Sequence, residues 1–200
     1  MTIEQLLGFN LALFVAIASP GPAFLVAIQT TVSAGRRSGV AIGCGLAITA
    51  AMWTLMALLG LEVVFTIFPW AYAVMKTLGA IYLIYIAWNM WQGARDEVQT
   101  SVKPTRNSFK QGLLINVLNP KSVLFAAAVL VVIFPASMPW TDNLIVVVNH
   151  LVIEVIFYFA LAFGMSTAIV RKTYLKMKLY IDRSASVVLG GLGIRLLSDR

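Results

Sequence analysis

Gly112-Leu-Leu-Ile-Asn-Val-Leu-Asn-Pro-Lys-Ser-Val-Leu-Phe125 lies inside an apolar run, residues 109–134, that is long enough to cross a bilayer. Its middle carries Asn116, Asn119, Pro120 and Lys121. Lys121 stands 12 residues from one end of the run and 13 from the other, roughly 18–20 Å from each at helical rise. That depth is the bilayer centre, where a Lys costs roughly 2.5–3.5 kcal/mol on insertion scales. A proline there also removes a backbone hydrogen bond and disturbs the preceding turn. Non-helical backbone at this depth must be buried in protein or line a cavity, so the cluster reads as a site.

The composition places the whole chain in the same environment. Of 200 residues, 60% are hydrophobic and only 12% charged, and the mean hydropathy is +0.88. These are the values of a membrane chain. One cysteine (Cys44) and one histidine (His150) exclude a disulfide framework and argue against an all-protein metal cage. The net charge of +7 is explained by the positions of the basic residues, without a nucleic-acid partner. Met1-Thr-Ile-Glu4 lacks a basic n-region, so the first apolar run reads as a retained span and not a signal peptide.

Six apolar segments follow one another: residues 3–31, 39–65, 71–91, 109–134, 144–170 and 184–197. The first is interrupted by Ser19-Pro20-Gly21-Pro22. The sixth has 14 residues and three glycines, short for a span, and reads as tilted, re-entrant or extended by Leu179-Tyr-Ile181. Eleven Lys and Arg residues fall in the odd-numbered connections, among them Arg36, Arg37, Arg95 and Lys172. Arg195 and Arg200 alone stand on the alternate side. The asymmetry predicts odd connections in the cytoplasm and both termini outside.

The polar stretch 93–108 divides the chain into halves of three segments, residues 1–92 and 109–200. An odd number per half makes the second enter from the opposite side. The expectation is therefore an all-α membrane protein of two inverted three-helix repeats, each with a broken first helix. Pro20 and Pro120 both lie about 11 residues, roughly 16 Å, from the cytoplasmic end of their segments. Paired breaks in corresponding segments point to a transporter's binding site. Two ordinary proline kinks are the plainer alternative.

Gly21-Pro22 and Asn119-Pro120 each place a capping residue before a proline suited to the first helical position. Two helix N-termini facing the midplane would offer free N–H groups and partial positive charge, and Lys121 a full one. Pro20, Gly21, Pro22, Asn116, Asn119, Pro120 and Lys121 thus form a candidate cradle for a carboxylate. Carbonyls released around Ala18 and Val117 are candidate acceptors for an ammonium group. Lys121 paired structurally with a carboxylate is the competing reading. Glu154, near mid-depth in the fifth segment, is that carboxylate, or else it binds a ligand ammonium or carries a coupling proton. His150, one turn earlier, reads as a packed or interfacial histidine. Glu62 and Lys76 flank the Phe68-Pro-Trp70 turn at equal distance and are expected to form a structural ion pair. Gly35, Gly39, Gly43, Ala47 and Ala51 make a small-residue stripe for close helix packing. Gly190-Gly-Leu-Gly193 is not a phosphate loop, since no strand precedes it, and no cofactor is expected.

With these residues in view, the chain resembles the LysE/RhtB family of bacterial amino-acid exporters. The likeness rests on Ser19-Pro20-Gly21-Pro22, on Gly35-Arg36-Arg37-Ser38-Gly39, on Lys76-Thr-Leu-Gly79-Ala-Ile-Tyr82-Leu-Ile-Tyr85 and on the opening stretch through Lys121. The resemblance implies proton-driven efflux of amino acids or related metabolites from the cytoplasm. The residues themselves predict a secondary transporter of a small zwitterion, not an enzyme, and the resemblance implies that it exports that substrate from a bacterial cell across the inner membrane. Its partners would be an amino acid, protons and lipid, with a homodimer an open question. A membrane scaffold or assembly factor, or an exporter of a metal ion or other small solute, are the rival readings.

Overall fold

The computed structural model describes residues 1–18, 21–95 and 107–198. Seven helices account for nearly all of them: α1 (Ile3–Ala18), α2 (Pro22–Ile67), α3 (Pro69–Gly93), α4 (Ser108–Val117), α5 (Pro120–Ile133), α6 (Trp140–Met165) and α7 (Ala168–Ser198). No strand occurs among the described residues. By length and composition, three helices can cross a membrane, or four if α4 and α5 form one span bent by 59°. Most of the linker expected over 93–108, residues 96–106, lies outside the described residues, as do Ser19 and Pro20.

Both expected interruptions are helix boundaries. Gly21 is the N-cap of α2, with proline opening the helix. Asn119 is the N-cap of α5, its side chain accepting from the Lys121 N–H at 3.1 Å. The backbone around Asn119 is closed locally: its N–H donates to the Asn116 carbonyl, and its own carbonyl accepts from Ser122 and Val123. Such closure is required where no water can satisfy a freed group.

Helix α2 has 46 residues, about 69 Å if straight and more than twice a hydrocarbon core. It is not straight. Gly35 is non-helical, with φ 85° and ψ 173°, a left-handed φ that glycine adopts without a Cβ clash. A Cβ on Gly39 would run into the Thr31 side chain. In a straight helix these residues would stand about 12 Å apart along the axis, so the chain folds back at Gly35 into two arms. The basic pair Arg36-Arg37 follows that reversal.

The arms are held by glycine crossings. A Cβ on Gly45 would strike the Phe109 carbonyl, and one on Gly112 would strike the Ile42 carbonyl. Helices α2 and α4 therefore meet backbone to backbone, each contributing the glycine the other needs. Gly39 and Gly43 lie against Ala162 and Tyr158 of α6, and Ala47 and Ala51 are buried. The small-residue stripe is thus an intramolecular contact. Gly79 of α3 faces Ala128 of α5, and Gly193 of α7 faces Ala80 and Ile84 of α3.

Polarity is inverted relative to a water-soluble protein. Phe14, Met52, Trp88 and Ile156 are exposed, whereas Thr54, Asn116, Asn119, His150, Glu154 and Asp182 are buried. Apolar side chains suit a lipid-facing surface, and buried polar groups must find partners inside.

One expectation is revised. Residues 171–183 continue as helix in α7, separated from α6 only by a turn at Ser166-Thr167. No Gly or Pro occurs between Ala168 and Leu189, and Lys and Arg are good helix formers, so nothing ends the helix there. The short sixth segment is the distal part of a 31-residue helix.

Outcomes at three positions are expected in thermal unfolding of detergent-solubilised protein. Gly45→Ala should destabilise by about 1–3 kcal/mol or more through overpacking against backbone. Gly60→Ala, where a Cβ meets nothing within 4 Å, should be neutral or stabilising by about 0.5–1 kcal/mol. Asn119→Ala should cost about 1 kcal/mol as the α5 cap is lost, and Asn119→Ser much less.

Candidate functional site

The two breaks come together in three dimensions. Lys121, in the first turn of α5, donates from Nζ to the Ala16 carbonyl at 3.3 Å, across to the last turn of α1. Gly21 lies beside it: a Cβ there would be 3.5 Å from Nζ and 3.6 Å from Cδ. The second carbonyl freed at the end of α1, that of Ala18, accepts from the Tyr174 hydroxyl of α7 at 3.4 Å. Protein donors therefore already occupy carbonyls that the sequence suggested for a ligand ammonium. The reason is tertiary, because Lys121 and Tyr174 arrive from distant parts of the chain.

Asn116, 2% exposed, holds the second break in place. Its Nδ2 donates to the Leu46 carbonyl of α2 at 2.6 Å, and its Oδ1 accepts from the Ser122 hydroxyl. The Trp53 indole N–H reaches the Asn116 carbonyl at 3.3 Å. Asn116 is thus a bracket between α4, α5 and α2.

Glu154 and His150 share one face of α6, one turn apart, and are 5% and 3% exposed. His150 Nε2 lies 3.2 Å from Glu154 Oε1, and Nδ1 lies 2.7 Å from the Thr54 hydroxyl of α2. Two proton placements satisfy this chain. In one, Nε2–H donates to a carboxylate while Thr54 donates to Nδ1. In the other, a protonated Glu154 donates to Nε2 and Nδ1–H donates to Thr54. The second carboxylate oxygen, Oε2, is buried with no hydrogen-bond partner among the described residues. Lys121 and Glu154 form no salt bridge among those of the described residues. The competing structural pairing of the two is not made.

Gly21, Asn116, Asn119, Lys121 and Glu154 all line one open pocket of about 530 Å³. Apolar walls come from Leu13, Phe24 and Phe125, and Tyr158 also lines the pocket. The backbone of Pro22 and Pro120 opens α2 and α5 beside it. Pro20 lies outside the described residues. Sequence reasoning set His150 apart as a packing residue; its place at i−4 of Glu154 was the available signal. Ser122 and Tyr158 carried no signal in the sequence. Glu62 lies elsewhere, in a smaller pocket of about 310 Å³ with Asn143.

No group of three or more His, Cys, Asp or Glu side chains that could hold a metal ion occurs among the described residues. What the pocket brings together is a lysine and a carboxyl side chain among apolar walls.

Comparison with known proteins agrees with a transport role. Residues 14–200 match the family model described as LysE type translocator. The threonine efflux protein of Escherichia coli K12 is 27% identical, with 93% of this chain and 94% of the relative covered. That of Salmonella typhimurium is 26% identical, covering 98% of this chain and 100% of the relative. The uncharacterized membrane protein YahN of Escherichia coli K12 is 27% identical over 90% of this chain and 83% of its own length. No solved structure matches the chain. With the match running from the end of α1 through α7, the chain belongs to the LysE type translocator family, and it is a membrane transporter of small molecules rather than an enzyme.

Proposed function

We propose that this protein is a secondary transporter of the bacterial inner membrane that exports an amino acid or related zwitterion by proton antiport. The observation that carries the reading is the shared pocket. Lys121, at the second break, and Glu154, with a buried oxygen that has no hydrogen-bond partner among the described residues, line one open pocket. Lys121 and the N–H groups at the start of α2, whose N-cap Gly21 supplies no side-chain cap, take the substrate carboxylate. Glu154 Oε2 takes its ammonium, and Asn116 and Asn119 fix the geometry of the cradle.

Coupling follows from competition at Glu154. Facing the cytoplasm, the ionised carboxylate holds the ammonium. Facing outward, a proton replaces it and the substrate leaves. The His150–Thr54 pair gives the proton an adjacent hydrogen-bonded relay. No ATP-binding loop is present in the sequence, which favours an ion gradient as the energy source.

The alternating movement is assigned to two inverted halves, residues 1–92 and 109–200, with the first arm of α2 completing the broken first span, its second arm forming the next, and both termini outside. The helix pairs support this. The second arm of α2 packs on α6, and α3 packs on α7. In each pair, corresponding members of the halves meet, as a two-fold axis in the membrane plane would require.

Threonine heads the substrate panel, since the efflux relatives carry its name. Uptake of labelled amino acids into everted inner-membrane vesicles tests the reading. The wild type should accumulate at least one of them, and only with a proton gradient. Lys121→Ala and Asn119→Ala should lower accumulation about tenfold or more, the loss of a contact worth about 1.4 kcal/mol. Glu154→Gln should abolish gradient-driven accumulation; if it kept both transport and gradient dependence, the role given to Glu154 would fall. A folded wild type that accumulates no amino acid would turn the reading to other solutes.

A further inference from the structure

A second pocket, of about 990 Å³, opens beside Lys121 toward α3 and α7. It shares Gly21 and Lys121 with the first and is otherwise built from different residues, chiefly Tyr82, Tyr85, Asn89, Lys178 and Asp182. Asp182 had no part in the sequence reading. It is 3% exposed, although it sits in the stretch of α7 that the sequence marks as a charged connection.

The charges around Asp182 are arranged unevenly. Lys178, one turn earlier, donates to the Gly93 and Ala94 carbonyls at 2.9 and 3.2 Å, at the end of α3. It also lies 3.1 Å from Asp182 Oδ2. These three contacts use all three ammonium hydrogens of Lys178. Asp182 Oδ1 is buried and has no hydrogen-bond partner among the described residues. A structural ion pair holding α7 to the end of α3 accounts for Oδ2 and for Lys178. It does not account for an unpartnered anionic oxygen on a side chain that lines a large pocket, because such an oxygen is unfavourable unless a donor visits it.

We infer that Asp182 is a second binding station for a primary ammonium, the ammonium end of the transported zwitterion, and that Lys121 is the carboxylate partner of both stations. The inference rests on the amino-acid reading above. Tyr82 and Tyr85, with ring centroids 6.2 Å apart, line the same pocket and supply aromatic faces that attract a cation. Because the two pockets share one lysine, they hold the substrate in turn. The carboxylate stays on Lys121 while the ammonium passes from Asp182, on the side of the α3 C-terminus, to Glu154. The arrangement gives the exporter a loading station that does not use the proton-coupled carboxylate.

Equilibrium binding of the labelled amino acid that the vesicle assay selects, to purified full-length protein, tests this. Glu154→Gln should still bind, and adding Asp182→Asn should weaken that remaining binding about tenfold or more. Lys178→Gln in the Glu154→Gln background should keep it, whereas a purely structural Asp182–Lys178 pair would make the two double variants alike. Carbodiimide labelling of wild-type Asp182, read by peptide mass spectrometry, needs no substitution; saturating amino acid should slow it about fivefold or more at ~90% occupancy or above. Loss of all binding in Glu154→Gln, unchanged binding on adding Asp182→Asn, or no protection of Asp182 would each overturn the second station while leaving the first. A wild type that binds none of the panel would remove the amino-acid reading itself, and the station with it.

Discussion

A helix interrupted inside a bilayer leaves N–H and C=O groups that lipid cannot satisfy, and the structure depends on how those groups are closed. At the second break the closure is local, through Asn119 as cap and the Asn116 carbonyl as acceptor. At the first it is long-range: Lys121 reaches the Ala16 carbonyl and Tyr174 reaches that of Ala18. The Lys121 bond joins the two breaks directly. Once those helix ends are tied, the pocket between them is fixed in place, and its polar lining follows from the groups that do the tying.

The glycine crossings make that closeness attainable. Helices α2 and α4 approach until Gly45 and Gly112 each face the other's backbone. This brings the Leu46 carbonyl within reach of Asn116, and Trp53 within reach of its carbonyl. Bulkier residues would hold the helices apart and leave Asn116 without its partner. In a membrane, where association between helices relies on packing and hydrogen bonds, such contacts are a main source of cohesion. The crossings of α2 on α6 and of α3 on α7 use the same device, so the polar interior is enclosed by closely packed small-residue seams.

Two carboxylates of the interior, Glu154 and Asp182, have the same pattern. Each bonds through one oxygen to a cationic or ionisable side chain one helical turn away, and each keeps the other oxygen buried without a partner. Each also lines a pocket that contains Lys121. A lysine between two incompletely satisfied carboxylates can serve a mobile zwitterion in a way that a closed ion pair cannot.

Much of this was legible in the sequence because membrane burial makes certain residues expensive. Asn119, Pro120 and Lys121 stood out at mid-depth, as did the Pro-Gly-Pro break and Glu154, and the capping roles of Gly21 and Asn119 followed from local chemistry alone. The basic stretch of α7 reads as a connection because its charge marks depth, and only the absence of Gly and Pro there signals that the helix runs on. Asp182 carried no weight in the sequence, since an aspartate among lysines and arginines reads as solvated until the fold buries it. His150 was undervalued for the same reason: its partner Thr54 lies 96 positions away. Composition and local pattern by themselves determined a helical membrane chain with two polar breaks, because the cost of polar groups in lipid is local. Which breaks meet, which carbonyls are already occupied and which carboxylate oxygens remain open were decided only by the tertiary structure, because those partners come together through packing across the whole chain.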